Sequence, residues 1–300
     1  MTSLTCPPFG SEIDDSTLFM SVRDYNKKIS DKVFNYYRCR RSGFIFLDPI
    51  PADLGKYYPS DYYDVPASEA ELVASAEVLQ QWKLDAVLAH AKGGRLLEIG
   101  AAYGLFSFLA KRAGFKVTAI EMDARCCGFL RDVVGIDVVE SDDALSVLET
   151  LPEFDVIVMW QVLEHLPDPW TVLAAVAERL VPNGVLILDT PNPDAFQFRV
   201  LGRRWVHLDA PRHVALIPVE LLTDYVGRHG LEAERLTAAD AGANGFNGYG
   251  WAFTFKNFLG DNLFGRIGFF LGRVLAKLLI PIERTGWRGS TYTAVFRKRA

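Results

Sequence analysis

The segment RLLEIGAAYG at residues 95–104 places a run of apolar residues directly before two glycines, Gly100 and Gly104. A second apolar run, KVTAIE at residues 116–121, ends in an acid. The pattern predicts a buried strand, a tight turn into a helix and a second strand, because glycine lets the backbone turn where a side chain would collide with a ligand. The helix would point unpaired N–H groups at that turn. This layout is typical of a nucleoside site in which Glu121 accepts the hydroxyl groups of a ribose.

The spacing of the glycines distinguishes two kinds of nucleotide site. A dinucleotide site needs G-x-G-x-x-G, because the pyrophosphate must approach the backbone closely. Gly100 and Gly104 are spaced G-x-x-x-G, and Glu98 precedes them. A carboxylate at that place would repel a pyrophosphate but would hold the ammonium of an amino-acid moiety, directly or through water. The turn therefore favours S-adenosylmethionine over a nicotinamide dinucleotide.

Several further blocks follow in order along the chain. They are an acid at residue 121, SDD at 141–143 after a third predicted strand, FDVIVMWQVLEH at 154–165 and VPNGVLILDTPN at 181–192. With the E-x-G-x-x-x-G motif at 98–104, these blocks resemble the class I S-adenosylmethionine-dependent methyltransferases. The resemblance extends from residue 95 to about residue 236. It is closest to the small-molecule enzymes that carry Glu-His after the fourth strand.

The resemblance also implies which residues hold S-adenosylmethionine. These are Glu98, Gly100 and Tyr103 for the methionine part, Gly104 in the same loop, Glu121 for the ribose, Met122 with Asp142 or Asp143 for the adenine, and Trp160 and Gln161 beside the cofactor. The loop departs from the family pattern at one point, because Ala102 stands where a glycine is often found.

Composition limits the partners and the compartment. The formal net charge is −5 and the basic residues are scattered, so we expect no nucleic-acid partner. The N-terminus lacks a signal-peptide pattern, and no uncharged apolar run reaches membrane-spanning length, so we expect a cytoplasmic protein. The four cysteines are expected to be reduced in that compartment, and the sequence predicts no metal site.

Strand and helix patterns alternate between residues 95 and 236, which predicts an α/β fold with a Rossmann-like, doubly wound, seven-stranded sheet. By the resemblance, the last strand, near 290–297, is antiparallel and inserts beside the sixth. We predict a methyltransferase domain formed by 67–237 with 290–300. Around it we expect a small N-terminal β module at 1–66, an acceptor lid at 191–217 and an aromatic, glycine-rich and helical insertion at 238–289.

The N-terminal module resembles a zinc ribbon that has lost part of its ligands. CPPFG at 6–10 and CRRSG at 39–43 match the two C-x-x-C-G knuckles of the ribbon that a subset of these methyltransferases carries, but each lacks its second cysteine. Because structural zinc needs four ligands, we predict a degenerate, metal-free β hairpin held by Phe44 and Phe46. Nearby aromatic residues that either pack in this module or cover the cofactor are Tyr57, Tyr58, Tyr62 and Tyr63.

Two histidines are candidates for the catalytic base. Methyl transfer to a hydroxyl group requires an acceptor for the proton, and histidine suits this task near neutral pH. His165 follows Glu164 at the rim of the predicted sheet, and His213 lies in the lid segment Pro-Arg-His, which resembles a lid segment of related enzymes. The adjacent Arg212 would either anchor the acceptor or be a solvated loop cation.

The helix predicted at 263–282 is apolar except for a basic stripe. Arg266, Arg273 and Lys277 fall within about 40° of one another at 100° per residue. We expect the apolar remainder to pack over the substrate pocket or against a second copy in a homodimer. Docking on a membrane surface is the alternative.

The sequence therefore favours a methyltransferase that acts on a small molecule, with O-methylation of a partly hydrophobic, natural-product-like acceptor as the leading hypothesis. Nitrogen, sulfur and carbon acceptors remain open. A nicotinamide oxidoreductase is disfavoured by the glycine spacing and Glu98. A non-catalytic binding protein that retains the cofactor fold is the alternative from another functional class.

Overall fold

The computed structural model describes residues 16–59, 62–66, 68–260 and 262–300. Its strands fall into two sheets, in agreement with the strand patterns of the sequence. In this part of the chain the strands are β1 (Ser16–Arg23), β2 (Val33–Cys39), β3 (Ile45–Leu47), β4 (Gly94–Ile99), β5 (Phe115–Glu121), β6 (Asp137–Glu140), β7 (Phe154–Trp160), β8 (Leu180–Pro191), β9 (Ala215–Leu216), β10 (Leu231–Thr237) and β11 (Thr291–Lys298).

Several helices begin at residues whose side chains accept unpaired N–H groups of the first turn. Ser68 accepts a hydrogen bond from the backbone of Glu71, and Asp168 accepts from Trp170 and Thr171. The α-helices of the described residues are α1 (Glu69–Leu88), α2 (Leu105–Arg112), α3 (Ala124–Phe129), α4 (Ala144–Thr150), α5 (Pro169–Glu178), α6 (Phe196–Leu201), α7 (Val219–Arg228), α8 (Ala241–Leu259) and α9 (Leu263–Glu283). No helix in these ranges is both long enough and apolar enough to cross a bilayer.

The large sheet has the strand order β10-β11-β8-β7-β4-β5-β6. Neighbouring strands from β8 to β6 run parallel, whereas β11 is antiparallel to both β8 and β10. The predicted seven-stranded sheet with an inserted antiparallel last strand is therefore confirmed. Because the parallel strands share one direction, the loops after β4, β5 and β7 meet at the carboxyl edge, where open α/β sheets bind ligands.

Strand β7 shows why the sheet is stable. Its residues Val156, Ile157, Val158 and Met159 are completely buried. Alternate residues pack into two different cores, because helices cover both faces of the sheet. Burial of each side chain contributes about 1.5–3 kcal/mol.

A second sheet of four strands, in the order β1-β2-β3-β9, covers one side of the molecule. The predicted hairpin of β2 and β3 is confirmed, and Phe44 stacks on Phe46 with ring centroids 5.3 Å apart. Strands β1 and β9 were not predicted. Because β9 lies in the predicted lid, the lid and the N-terminal segment share one sheet. Cys39 of the second knuckle is buried, and the first knuckle at 6–10 lies outside the described residues.

The insertion before β11 is a hairpin of two helices, α8 and α9. The sequence predicted a helix only for its second half, because four glycines interrupt the segment that forms α8. Two of them have a packing role, since a Cβ atom at Gly242 or Gly250 would lie within 2.5 Å of Trp82 or Gln197. The expected packing of the α9 apolar face over the substrate pocket is wrong, because the side of α9 that is buried carries glycine and alanine.

Candidate active site

The turn after β4 adopts the conformation that its glycines permit. Gly100, Ala102 and Gly104 have φ values of 74°, 49° and 84°, in the left-handed region. A Cβ atom at Gly104 would lie 2.4 Å from Leu130, and one at Gly100 would lie 2.5 Å from Val162. The two glycines are therefore required by both the turn and the packing. Ala102 adopts the same region with a side chain, at a cost of about 1 kcal/mol.

Glu121, at the end of β5, lies against this turn. Its carboxylate is buried and accepts backbone N–H groups from Ala102 at 2.7 Å, Met122 at 2.8 Å and Asp123 at 2.9 Å. These bonds fix the position of the carboxylate at the carboxyl edge of the sheet. A carboxylate has about four acceptor positions, so with three of them occupied one remains for a hydroxyl group. The predicted proximity of Glu121 to the glycine turn is present in the structure.

Glu98 belongs to a buried cluster of charged groups that the sequence did not reveal. Its carboxylate accepts a hydrogen bond from the Ser107 hydroxyl, and burial raises its pKa. Lys83, on α1, interacts electrostatically with Glu98 and Asp189, while burial lowers the pKa of its ammonium. Burial also raises the pKa of Asp189. The cluster thus offers one cation and two acids where the methionine part of the cofactor was predicted.

Trp160 and Gln161 connect this cluster to the end of β7. The Lys83 ammonium lies 5.2 Å from the centre of a Trp160 ring, within range of a cation–π interaction. The side-chain amide of Gln161 donates to the carboxylate of Asp189, and its backbone N–H donates to the Asp189 carbonyl at 2.8 Å. Gln161 holds a φ of 57°, a strained conformation of the kind that is common at functional sites.

The residues predicted for the adenine lie on the exposed side of the same edge. Met122, Asp142 and Asp143 are exposed to solvent. Asp143 caps α4 by accepting the backbone N–H of Ser146, so its carboxylate already has a structural role. Asp142 therefore becomes the better candidate of the two acids. Tyr103 is partly exposed in the loop, and burial raises its pKa.

His165 and His213 face each other, with ring centres 4.6 Å apart and planes at 84°. The Nδ1 atom of His213 contacts the carbonyl oxygen of His207 at 2.7 Å, which assigns the proton to Nδ1 and leaves a lone pair on Nε2. Burial lowers the pKa of His213 to about 3 and also lowers the pKa of His165. Both histidines are therefore neutral near pH 7.

Glu164 completes the histidine pair and was not among the predicted site residues. Its Oε2 atom accepts a hydrogen bond from the Thr190 hydroxyl at 3.0 Å, whereas its buried Oε1 has no hydrogen-bond partner among the described residues. Oε1 lies 3.9 Å from Nε2 of His213. Burial raises the Glu164 pKa to about 8. Glu164, His165 and His213 each offer one possible metal-ligand atom within 4.8 Å of the others.

A row of tyrosines extends from this pair toward Glu121. The hydroxyl of Tyr58 contacts Nδ1 of His165 at 2.8 Å, and its ring lies 5.2 Å from the ring of Tyr62. Tyr62 in turn lies 5.1 Å from Tyr63. Burial, together with the charge of Glu121, raises the pKa of Tyr63. The row therefore connects the histidine pair to the surroundings of Glu121.

Arg212 has neither of the roles proposed for it from the sequence. Its guanidinium is completely buried and donates to Asp24 at 2.8 Å and to Asp209 at 2.7 Å. It also donates to the Tyr57 carbonyl at 3.3 Å. These bonds connect the lid to the N-terminal sheet and fix the backbone immediately before His213.

Comparison with known proteins identifies the family of the chain. A family model described as a methyltransferase domain matches residues 73–236, which is more than half of the chain. The chain belongs to this methyltransferase family. Its domain contains β4 to β8, the glycine turn, Glu121 and the Glu164-His165 pair, all of which lie within the matched residues.

Curated relatives of this methyltransferase include two named ubiquinone biosynthesis O-methyltransferase. The protein from Xanthomonas oryzae pv. oryzae is 36% identical over 129 residues, which are 40% of this chain and 53% of that protein. The protein from Nitrosococcus oceani is 31% identical over 169 residues, which are 52% of this chain and 71% of that protein. The chain thus spans about half the length of the first relative.

Solved structures share the fold of this methyltransferase. A SAM-dependent methyltransferase from Archaeoglobus fulgidus has a TM-score of 0.52 at 18% identity, with 77% of this chain and 97% of that chain covered. The [4+2]-cyclase SpnF has a TM-score of 0.50 at 18% identity, with 73% and 82% covered. Because a methyltransferase and a cyclase share the fold, the reaction must be argued from the site.

Proposed function

We propose that this protein transfers a methyl group from S-adenosylmethionine to a hydroxyl group of a small, partly hydrophobic acceptor. Membership of the methyltransferase family and the names of the curated relatives support this reaction. The observation that carries the proposal is the row of aromatic rings between Glu121 and the histidine pair, because it joins a nucleoside-type site to a proton acceptor.

The charges at the methionine end fit S-adenosylmethionine. Lys83 would pair with the carboxylate of the cofactor, while Glu98 and Asp189 would face its ammonium and sulfonium. With all three groups ionised, this end carries a net charge of −1, which a cofactor of net charge +1 neutralises. A pyrophosphate would instead add negative charge beside two buried acids, which is costly in a low-dielectric site. The residues therefore fit the sulfonium cofactor better than a dinucleotide.

When bound, S-adenosylmethionine supplies a methyl group already activated by the positive sulfur. The protein must then hold the acceptor oxygen in line, exclude water and receive one proton. The Nε2 lone pair of His213 is available to take that proton, since Nδ1 is occupied by the His207 carbonyl. In its ionised form, Glu164 would stabilise the resulting imidazolium across the 3.9 Å gap, and burial raises the pKa of that carboxyl to about 8.

The surroundings of the histidine pair favour an aromatic alcohol as acceptor. Tyr58 and Tyr62 form one wall beside His165. Tyr249 of α8, whose ring centre lies 5.7 Å from that of His207, brings a further ring from the insertion. Aromatic walls stack well on flat rings. A hydroxyl oxygen becomes positively charged as it takes the methyl group, so its proton can then pass even to a base whose pKa is as low as that of His213.

The proposal is tested by incubating the protein with methyl-labelled S-adenosylmethionine and a panel of simple phenols, anilines and thiols. We expect label to appear in phenols and not in matched methyl ethers, which have no transferable proton. In a separate thermal-shift measurement, we expect S-adenosylhomocysteine to stabilise the protein and NADH not to. At a hundredfold excess of S-adenosylhomocysteine over its Kd, the free energy of unfolding should rise by about 2.7 kcal/mol. Stabilisation by NADH alone would contradict the proposal.

The same assay with added EDTA tests whether a metal ion bound by Glu164, His165 and His213 takes part in the reaction. If the proton passes directly to His213, activity with phenols persists after chelation. If EDTA abolishes activity and Mg²⁺ or Zn²⁺ restores it, the proton is removed with the help of a metal ion at these three residues and not by His213 alone. Label in anilines or thiols alone would assign a nitrogen or sulfur acceptor instead.

A further inference from the structure

Helix α9 buries its smallest residues and exposes its largest ones. Gly265, Gly268 and Gly272 face α8, and a Cβ atom at Gly272 would lie 2.5 Å from the carbonyl oxygen of Trp251. The two helices are therefore too close together for large side chains between them. A helix packed on a globular protein normally does the reverse, because burial of its large apolar side chains is what stabilises the packing.

The outward side of α9 forms a continuous apolar surface. Leu263, Phe264, Phe270 and Leu278 are 67%, 63%, 66% and 70% exposed. At 100° per residue they span an arc of about 120° along the whole helix. The residues that form this α9 outer face are Leu263, Phe264, Ile267, Phe270, Leu271, Val274 and Leu278. A contiguous apolar patch of this kind marks an interaction surface.

Phe258, at the end of α8, is also exposed. Its ring lies 4.5 Å from the guanidinium of Arg204, which belongs to the predicted lid. The lid also contacts α8 directly, because the Val206 backbone N–H donates to the Thr254 hydroxyl at 3.1 Å. The α8–α9 hairpin therefore contacts the predicted lid, the segment that carries His213.

A basic stripe borders the α9 outer face. Arg266, Arg273 and Lys277 lie within about 40° of one another and begin about 20° from the apolar arc. Beside them, residues of both α8 and α9 line a surface groove of about 590 Å³. Its cationic and aromatic lining residues are Arg273, Lys277, Arg284, Tyr249, Phe253 and Phe269. The groove thus offers positive charge for an anionic group and rings for an apolar chain.

The acid of α9 does not neutralise the stripe. Residues 241–283 contain four cations and two acids, Asp261, which lies outside the described residues, and Glu283 at the end of α9, although the whole chain has a net charge of −5. Glu283 is buried, accepts hydrogen bonds from Trp251 at 2.8 Å and Gln197 at 2.9 Å, and has a pKa raised by burial. The exposed surface of α9 therefore presents positive charge and no carboxylate.

We propose that the α9 outer face docks on the surface of a lipid bilayer that contains anionic lipids, with α9 lying in the plane of the interface. The apolar arc enters the acyl boundary, and the basic stripe binds the lipid phosphates. The three cations keep the helix at the surface. A second copy of the chain fits less well, because pairing two outer faces would bring two basic stripes together without a carboxylate to balance them.

The test is flotation of the full chain with vesicles of phosphatidylcholine, with and without phosphatidylglycerol. We expect binding to the anionic vesicles that weakens as salt is added. The double variant R273Q/K277Q should bind about thirtyfold more weakly, since each cation near an anionic surface contributes a factor of about five. The variant F270S/L278S should bind the anionic vesicles at least a hundredfold more weakly, because it removes two large apolar side chains that would enter the acyl boundary.

Matched controls use exposed residues elsewhere. The variant V78S/L79S on α1 removes two apolar side chains, and R228Q/R299Q removes two surface cations. Both should bind vesicles as the parent protein does, and all variants should keep the parent thermal stability and affinity for S-adenosylhomocysteine. These two measurements distinguish a loss of membrane binding from a loss of the fold or of the cofactor site, so the docking proposal can fail without the proposed reaction failing.

Three results would overturn the proposal. One is that the parent protein does not float with anionic vesicles. Another is that F270S/L278S binds them as well as V78S/L79S does. The third is that sedimentation shows a dimer which F270S/L278S dissociates while no variant binds lipid, and this would assign the α9 outer face to a second copy.

Discussion

The Nε2 atom of His213 lies 3.9 Å from Oε1 of Glu164, which is buried and has no hydrogen-bond donor among the described residues. The two atoms both carry lone pairs when His213 is neutral and has its proton on Nδ1. A proton delivered to Nε2 by an acceptor hydroxyl would therefore lie beside the carboxyl of Glu164. The pair comes from distant parts of the chain, the turn after β7 and the lid before β9.

Replacement of His213 by Gln should lower kcat by about 10²–10⁴-fold, the usual contribution of a general base. Glutamine keeps a polar side chain of similar size but cannot accept the proton. The affinity for S-adenosylhomocysteine should stay within about twofold, because His213 is outside the predicted cofactor residues. His229→Gln is the matched control, since His229 is exposed at the end of α7. Steady-state kinetics measure kcat, and equal kcat values for the two variants would show that His213 is not the general base.

The raised pKa of Glu164 predicts a dependence of stability on pH. The pKa is about 8 in the folded protein, against 4.5 for the ordinary side chain. Between these values the folded state holds a proton that the unfolded state has released, so stability falls as pH rises, by at most about 1.4 kcal/mol per pH unit. His213 acts in the opposite direction, but only below pH 6.5, because burial lowers its pKa from 6.5 to about 3.

Urea unfolding of the parent and of Glu164→Gln between pH 6.5 and 8.5 measures this effect. The variant has no titrating carboxyl at this position, so its stability relative to the parent should rise across the window. Other buried acids, such as Glu98, titrate in both proteins and cancel in the difference. A difference that stays constant with pH would mean that Glu164 is ionised throughout.

The sequence was sufficient for the parts of the site that depend on local patterns. Gly100 and Gly104 follow a mostly apolar strand, Glu121 ends another, and the turn geometry leaves few other residues possible at the two glycines. The doubly wound, seven-stranded sheet followed from the alternation of elements, and the antiparallel insertion of β11 followed from the family resemblance. Both are confirmed by the sheet.

The parts that were missed depend on contacts between distant segments. Lys83 is an ordinary helical lysine in the sequence, and only the packing of α1 brings it to Glu98 and Asp189. Arg212 looked like a loop cation because its partner Asp24 is 188 residues away. Helix α8 was missed since glycine disfavours helices in isolation, whereas here tertiary packing favours it.

Replacement of Arg212 by Met should destabilise the fold by about 3–5 kcal/mol, because it leaves the buried carboxylates of Asp24 and Asp209 without their cation. Equilibrium unfolding in urea measures the loss. Arg299→Met is the control, since the pair of Arg299 with Glu232 is exposed and contributes about 0–1 kcal/mol. Similar losses for the two variants would show that the Arg212 ion pairs are not what joins the lid to the N-terminal sheet.

Replacement of Lys83 by Met should weaken S-adenosylhomocysteine binding about ten- to hundredfold, because a charge-assisted bond to the cofactor carboxylate contributes about 1.5–3 kcal/mol. Methionine preserves the apolar stem that packs near Trp160. Lys116→Met on β5 removes an exposed lysine and should leave the affinity unchanged. Isothermal titration calorimetry measures the affinity of each variant. Equal affinities for Lys83→Met and Lys116→Met would show that Lys83 does not bind the cofactor.

The most direct test of the cofactor site is a calorimetric titration of S-adenosylhomocysteine into the parent, Glu121→Gln and Glu140→Gln. Glu121 and Glu140 are paired in register on the adjacent strands β5 and β6, but only Glu121 is buried at the glycine turn. We predict that the parent binds, that Glu121→Gln binds at least tenfold more weakly and that Glu140→Gln matches the parent. Absence of binding to the parent, or equal affinities for all three proteins, would contradict a cofactor site at this edge of the sheet.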